Sequence, residues 1–206
     1  MNAAATAEHG THARTGRVVV ICGPSGSGKT TVCQRLLADP EITRSVSATT
    51  RPARPDEKDG IHYHFIARPE FVDRLRRGCF AEHAEYSGHL YGTPREPLEA
   101  ALAHGRTILL EIDVQGAEQL RRVYPDGLYI FLDAPDRAEV QARLEKRNTE
   151  TPDERRRRLD TAERERAAVD RVRFDYRVIN DDLDRTVARI RELIRGSRAA
   201  PASPKP

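Results

Sequence analysis

The sequence predicts an α/β protein: a three-layer α/β/α core with a parallel sheet, interrupted by a β-rich insertion and by a helical lid. Three observations carry this. Short apolar runs that read as buried strands alternate with stretches whose apolar residues recur every three or four positions, the pattern of helices covering a parallel sheet. The stretch 45–93 breaks that rhythm with β-branched residues, aromatics and several prolines. The stretch 137–175 mixes helix formers with bases and nearly as many acids, the signature of a solvated helical hairpin.

Val18-Val19-Val20-Ile21 reads as the first strand and leads through a glycine-rich turn into a helix carrying Val32 and Leu36. Beyond the insertion, Leu98 and Leu102 mark a helix, and Ile108-Leu109-Leu110, Leu128-Tyr129-Ile130-Phe131-Leu132 and Tyr176-Arg177-Val178-Ile179 mark strands. Unbroken apolar runs of this kind are expected as central parallel strands, because a parallel sheet is buried on both faces. The insertion contains one short helix-like piece near Pro69–Arg77, and Val140 with Leu144 marks a lid helix. The last helix carries Leu183, Val187, Ile190 and Ile194, with Asp181 or Asp182 as its cap, and Gly78, Gly105 and Gly196 fall where helices should stop. The expected layout is therefore a core of 17–44, 94–136 and 176–196, an inserted subdomain 45–93 and a lid 137–175. Residues 1–16 and 197–206 have few apolar anchors and are expected as dispensable, disordered tails.

A chain of 206 residues fits one domain at roughly 100–200 residues each. Its 38% hydrophobic content excludes a wholly disordered polymer. No apolar run approaches the roughly 18 residues of a membrane span, and no basic segment followed by an apolar stretch opens the chain. Cys22, Cys33 and Cys79 are odd in number and lack CxxC spacing, which argues against a disulfide framework or a zinc site. A cytoplasmic protein without a membrane partner is expected. With 32 acids interspersed among 35 bases, the net charge of +3 is weak support for a nucleic-acid partner, and none is expected.

Lysine occurs only at Lys29, Lys58, Lys146 and Lys205, the remaining bases being arginine, so a lysine is informative where it stands. Lys29 closes Gly23-Pro24-Ser25-Gly26-Ser27-Gly28-Lys29-Thr30, which fulfils Gly-x4-Gly-Lys-Thr between a strand and a helix, the context that motif requires. Glycines there let successive N–H groups turn inward, and the helix N-terminus adds positive potential around a phosphate. Lys29 is expected to bridge the β- and γ-phosphates of a nucleoside triphosphate and Thr30 to reach Mg²⁺, so the core is a P-loop core. The chain has no Asn-Lys-x-Asp guanine-reading segment of switch GTPases, which favours a small phosphotransferase.

Four further segments complete a pattern: Ser45-Val46-Ser47-Ala48-Thr49-Thr50-Arg51-Pro52-Ala53-Arg54-Pro55, Gly60-Ile61-His62-Tyr63, Phe80-Ala81-Glu82 and Tyr91-Gly92-Thr93. With them the chain resembles the guanylate kinases, a family of nucleoside monophosphate kinases, over residues 17 to about 196. The resemblance implies ATP and GMP as substrates, Mg²⁺ as cofactor, and transfer of the γ-phosphoryl group to give ADP and GDP. It implies that Arg51, Arg54, Tyr63 and Tyr91 hold the GMP phosphate, for which arginine forks and phenolic donors are suited. It places Ser47, Glu82, Thr93 and Asp113 around guanine, where a carboxylate accepts from N1–H and the N2 amino group and a hydroxyl donates to O6. Adenine offers neither donor on that edge, and discrimination on the order of 10⁴-fold follows.

Glu111, where a strand ends beside the phosphate loop, is assigned with Thr30 to the metal, directly or through water. The resemblance also matches Arg143, Arg147 and Arg158 to lid arginines that stabilise the transferring phosphoryl, with Arg147 alternatively along the adenine of ATP and Asn180 as an adenine-side residue. The other arginines of Arg155–Arg158 read as a solvated helix face, and the chain as a monomer or homodimer. The alternative is a guanylate-kinase-like interaction scaffold without activity, which the intact Lys29 and Thr30 oppose.

Overall fold

The computed structural model of the chain describes residues 16–136, 138–140, 165–167 and 169–197. In chain order its elements are β1 (Arg17–Cys22), α1 (Lys29–Leu36), β2 (Ile42–Arg44), β3 (Ala48–Thr49), β4 (His64–Phe65), α2 (Arg68–Arg76) and β5 (Phe80–Tyr86). They continue with β6 (His89–Pro94), α3 (Arg95–Ala103), β7 (Thr107–Glu111), α4 (Val114–Val123), β8 (Leu128–Asp133), a 3-10 turn (Val169–Arg171), β9 (Tyr176–Ile179) and α5 (Leu183–Gly196).

Strands β2-β7-β1-β8-β9 form one sheet, in that order, with every neighbouring pair parallel. The alternation of side chains along β1 explains why it needs apolar residues at consecutive positions. Val19 and Ile21 pack with Val32 and Leu36 of α1 and with Val187, Ile190 and Ile194 of α5. Val18, Val20 and Cys22 pack on the other face with Leu98 of α3 and Val114, Ala117 and Leu120 of α4. Two cores back to back on one sheet make the three layers.

One expectation about this sheet needs correcting. The run Tyr176–Ile179, expected to be central, is the edge strand β9, with Tyr176 42% and Ile179 43% exposed. Apolar and β-branched content suits any pleated strand and does not distinguish an edge from a centre. At the opposite edge, β2 has three residues, too few for a pattern to show. At the last helix the cap is Asp182, which accepts from Arg185 N–H at 2.8 Å. Gly78 and Gly105 close α2 and α3 with positive φ, whereas Gly196 is still helical and Ser197 is the cap.

The insertion forms a second sheet, β4-β3-β6-β5. Its β5–β6 hairpin turns on Ser87 (φ 51°) and Gly88 (φ 79°), the two left-handed residues that a tight type I′ turn demands. Phe71 of α2 stacks on Phe80 at 4.4 Å between ring centroids and gives this sheet its own small core with Ala48. Gln119 of α4 docks the sheet onto the main body: its amide accepts from His83 N–H (3.1 Å) and donates to His83 C=O (2.6 Å), as a neighbouring strand would. Most of 137–175, including Leu144, and nearly all of the two expected tails lie outside the described residues.

Candidate active site

The C-terminal ends of β1, β7 and β8 open on one side of the main sheet, the side where α/β sheets bind ligands. β1 runs straight into the phosphate loop. Gly23 has φ 154° and no room for a side chain, since a Cβ there would lie 1.9 Å from the Leu132 carbonyl oxygen at the end of β8. Gly26 (φ 84°) and Gly28 (φ 92°) are left-handed, and Gly28 is the N-cap of α1. No side chain caps α1 and no acid occupies its first turn, leaving its amide groups to an anion. Lys29 Nζ donates back to the carbonyls of Gly23 (2.5 Å) and Pro24 (2.9 Å). Asn180, expected on the adenine side, is buried and donates to the Ser27 carbonyl at 2.8 Å, so it braces the loop from within.

Beside the loop, Thr30 Oγ1 donates to Glu111 Oε1 at 2.6 Å, and Arg44 lies 3.5 Å from Glu111 Oε2. Two hard oxygens at the mouth of a phosphate loop fit Mg²⁺, which accepts a few protein oxygens and keeps water and phosphate as its other ligands. Among the described residues no group of three His, Cys, Asp or Glu forms a metal cage.

A cleft of about 320 Å³ joins this corner to the second sheet; Gly23, Ser25, Gly26, Gly28, Lys29, Thr30 and Glu111 line one part of it. Ser47, Arg51, Arg54, Tyr63, Glu82, Tyr91 and Asp113 line the rest. Residues far apart in sequence thus share one cavity. Thr93 lies just behind Glu82 and donates its hydroxyl to Glu82 Oε1 at 2.6 Å.

Glu82 faces the cleft because of a bulge in β5. Phe80 pairs with Pro94 and Glu82 with Thr93, so β5 carries one extra residue and three successive side chains, Phe80, Ala81 and Glu82, are buried. Gly116 of α4 makes the space, since a Cβ there would meet Glu82 Oε2 at 2.5 Å. Burial pushes the Glu82 carboxyl up to about 7; the Thr93 hydroxyl opposes the rise and the nearby Asp113 carboxylate adds to it. Asp113 caps α4 by accepting from Gly116 N–H at 2.8 Å, and burial raises its carboxyl as well.

At the other wall Arg51 is held by Glu57, Nη2 to Oε1 at 2.8 Å, while Glu57 Oε2 accepts from Arg54 N–H at 2.8 Å. The Arg51 hydrogen bond holds the Glu57 carboxyl below its ordinary range. The Arg51 guanidinium also sits 5.6 Å from the Tyr63 ring centre, and Tyr63 meets Tyr91 edge-on at 5.9 Å. Burial pushes the Tyr63 phenol up to about 12, so it stays a hydrogen-bond donor at neutral pH.

Sequence reasoning missed Arg44, Glu57, His62, Tyr86 and Glu165, all of which line the cleft. Glu57 alone had a signal, an acid three residues beyond Arg54 in a Pro-rich turn. The lid arginines Arg143, Arg147 and Arg158 lie outside the described residues. No helix among the described residues is long and apolar enough to cross a membrane.

Comparison with known proteins agrees with this geometry. The guanylate kinase family model matches residues 15–197. The guanylate kinase of Rubrobacter xylanophilus is 48% identical over 183 residues, covering 88% of this chain and 95% of its own. That of a Thermus thermophilus strain is 44% identical, covering 89% of this chain and 82% of its own. The crystal structure of guanylate kinase from Anaplasma phagocytophilum superposes with a TM-score of 0.75 at 33% identity, covering 91% of this chain and 88% of that one. A match across nearly the whole folded chain, from family pattern to coordinates, means that this chain belongs to the guanylate kinase family.

Proposed function

We infer that the chain catalyses the Mg²⁺-dependent transfer of the γ-phosphoryl group of ATP to GMP, giving ADP and GDP, a step of purine nucleotide metabolism. The observation that carries the reading is the single cleft in which a phosphate loop with its lysine faces a cluster of arginines, tyrosines and a buried carboxylate.

Phosphoryl transfer needs positioning and positive charge more than acid–base chemistry. The bond between the γ-phosphorus and the β–γ bridging oxygen breaks as a GMP phosphate oxygen bonds to that phosphorus. The acceptor oxygen of a phosphate dianion carries no proton, so no general base is required. On this reading, loop amides Gly23–Thr30 cradle the ATP phosphates, and Lys29 leaves its own loop's carbonyls to hold them. Arg51, Arg54, Tyr63 and Tyr91 fix the GMP phosphate, with Glu57 setting the direction of Arg51. Glu82, held by Thr93, accepts from guanine N1–H and N2–H, while Ser47 and Asp113 complete the base site. Thr30 and Glu111 would hold Mg²⁺, which supplies charge neutralisation on the phosphate oxygens when bound. Arg143, Arg147 and Arg158 remain assigned to the transferring group and the adenine by resemblance alone, as does Asn180 to the adenine side, with its hydrogen bond to Ser27 bracing the loop as well.

The inactive-scaffold reading is less supported, since the phosphate loop keeps both Lys29 and Thr30. The direct test is ³¹P spectroscopy of the chain with ATP, Mg²⁺ and GMP. ADP and GDP resonances growing in equal amounts are expected. Unchanged ATP and GMP with folded protein would overturn the reading.

A further inference from the structure

Two donors of the phosphate loop, the Lys29 ammonium and the Ser25 amide, are engaged by the chain itself in this structure. Lys29 Nζ is turned onto Gly23 and Pro24 carbonyls, and the Ser25 backbone N–H donates to Glu165 Oε2 at 2.9 Å. Glu165 stands on the helical turn 165–167, is half-buried, and lines the same cleft as the loop. The next residue, Arg166, reaches the other way: its Nε donates to Asp133 Oδ1 at 2.8 Å. Asp133 is 2% exposed at the end of β8 and also accepts from Arg177 at 2.6 Å. Arg166 therefore anchors the turn to the sheet while Glu165 lies over the loop.

Loop amides of this kind bind phosphate because several N–H dipoles converge where a helix begins. A carboxylate accepting from one of them is a ligand of the same class, an anionic oxygen on a charge-assisted hydrogen bond. A phosphate chain entering the loop meets a donor already engaged and a like charge beside it. Both effects oppose binding until the carboxylate withdraws, and each lowers apparent affinity by the fraction of protein in which the loop is so engaged.

We propose that Glu165 is an internal competitor for the phosphate loop, an anion supplied by the chain that holds Ser25 N–H before nucleotide binds and sets the affinity for nucleoside triphosphate. The proposal rests on the reading of this loop as the ATP site. Glu165 acts on the loop and not on the reacting atoms, so its signature is in binding. Calorimetric titration of Mg²⁺-ATP without GMP, on the full chain and on Glu165→Gln and Glu165→Ala, reads it directly. Glu165→Ala is expected to bind ATP on the order of 10-fold tighter. Glu165→Gln, which keeps an acceptor but loses the charge, falls between. In unliganded ¹⁵N-labelled protein the Ser25 amide proton moves upfield in both variants. ATP affinity unchanged or weakened in both variants overturns the proposal, whether or not the Ser25 amide moves. GMP turnover by the unmodified chain, measured on the same preparation, tests the ATP reading separately. Should that fail, inorganic pyrophosphate replaces ATP in the three titrations, with tighter binding by Glu165→Ala still expected; equal binding, or none by any of the three, overturns the proposal.

Discussion

Glu82 carries the most chemistry of any single side chain here. It is 5% exposed and its carboxyl is pushed up to about 7 by burial, and the guanine site proposed for it requires the ionised carboxylate. GMP affinity is therefore expected to fall about 10-fold for each pH unit below 7 while ATP affinity holds, which equilibrium binding at pH 5.5–8 checks. The same shift acts on stability with a definite sign. Between the ordinary value of 4.5 and about 7 the folded chain holds a proton that the unfolded chain has lost. The stability this provides is complete below the unfolded value, and about 3 kcal/mol of it is lost as pH rises through 7. Urea midpoints of the unliganded protein should fall over that window, and Glu82→Gln should flatten the fall. A second single-residue expectation concerns Lys29, whose alanine variant should unfold at nearly the same temperature yet lose about 10²–10³-fold in kcat. Normal turnover by that variant would remove the phosphate-loop mechanism. Legibility at this scale followed chemistry of residue type: Lys29 stood out because lysine is rare, and Arg51 and Arg54 because they sit in a recognisable run. Glu57 had only its place three residues beyond Arg54 to mark it, and Arg44 and Glu165 were invisible because only folding brings their guanidinium and carboxylate into the cleft.

Among elements, α4 does two jobs. Its first turn is capped by Asp113, and its Gly116 leaves the space that Glu82 occupies. Alanine at 116 would ordinarily favour a helix interior by about 1 kcal/mol, but here its Cβ meets a buried carboxylate tied to Thr93. Gly116→Ala is expected to raise KM for GMP about 10-fold or more and leave KM for ATP unchanged, since a small misplacement of a specificity group is costly. Separate KM determinations for the two substrates distinguish this from a general loss of folding. The apolar runs of β1, β7 and β8 and the three- and four-residue spacing of α5 were readable because burial on both faces of a sheet, or on one face of a helix, dictates residue type. The bulge at Phe80–Glu82, the three-residue β2 and the edge position of β9 depend on register and strand order, which local sequence does not encode.

Across the whole molecule, the parallel sheet presents the phosphate loop and Glu111, the second sheet presents the residues proposed to hold the acceptor, and Gln119 joins the two. The family match spans 15–197 and the described structure lies within 16–197. A chain trimmed to 15–197 is therefore expected to keep kcat within about twofold of the full chain, as measured by ADP release. The layered core and the inserted sheet were legible as a change of rhythm along the sequence, but their convergence on one cleft was not, because it depends on how the two sheets dock. The central claim is that this cleft pairs a triphosphate site with a guanine-reading carboxylate, and one measurement tests it most directly. Initial rates of ADP formation from Mg²⁺-ATP are compared with GMP, AMP, UMP and CMP offered singly at equal concentration. The expected result is rapid turnover with GMP and kcat/KM on the order of 10⁴-fold lower with the other three. Comparable rates with AMP or UMP, or no turnover with any of the four by folded protein, would contradict it.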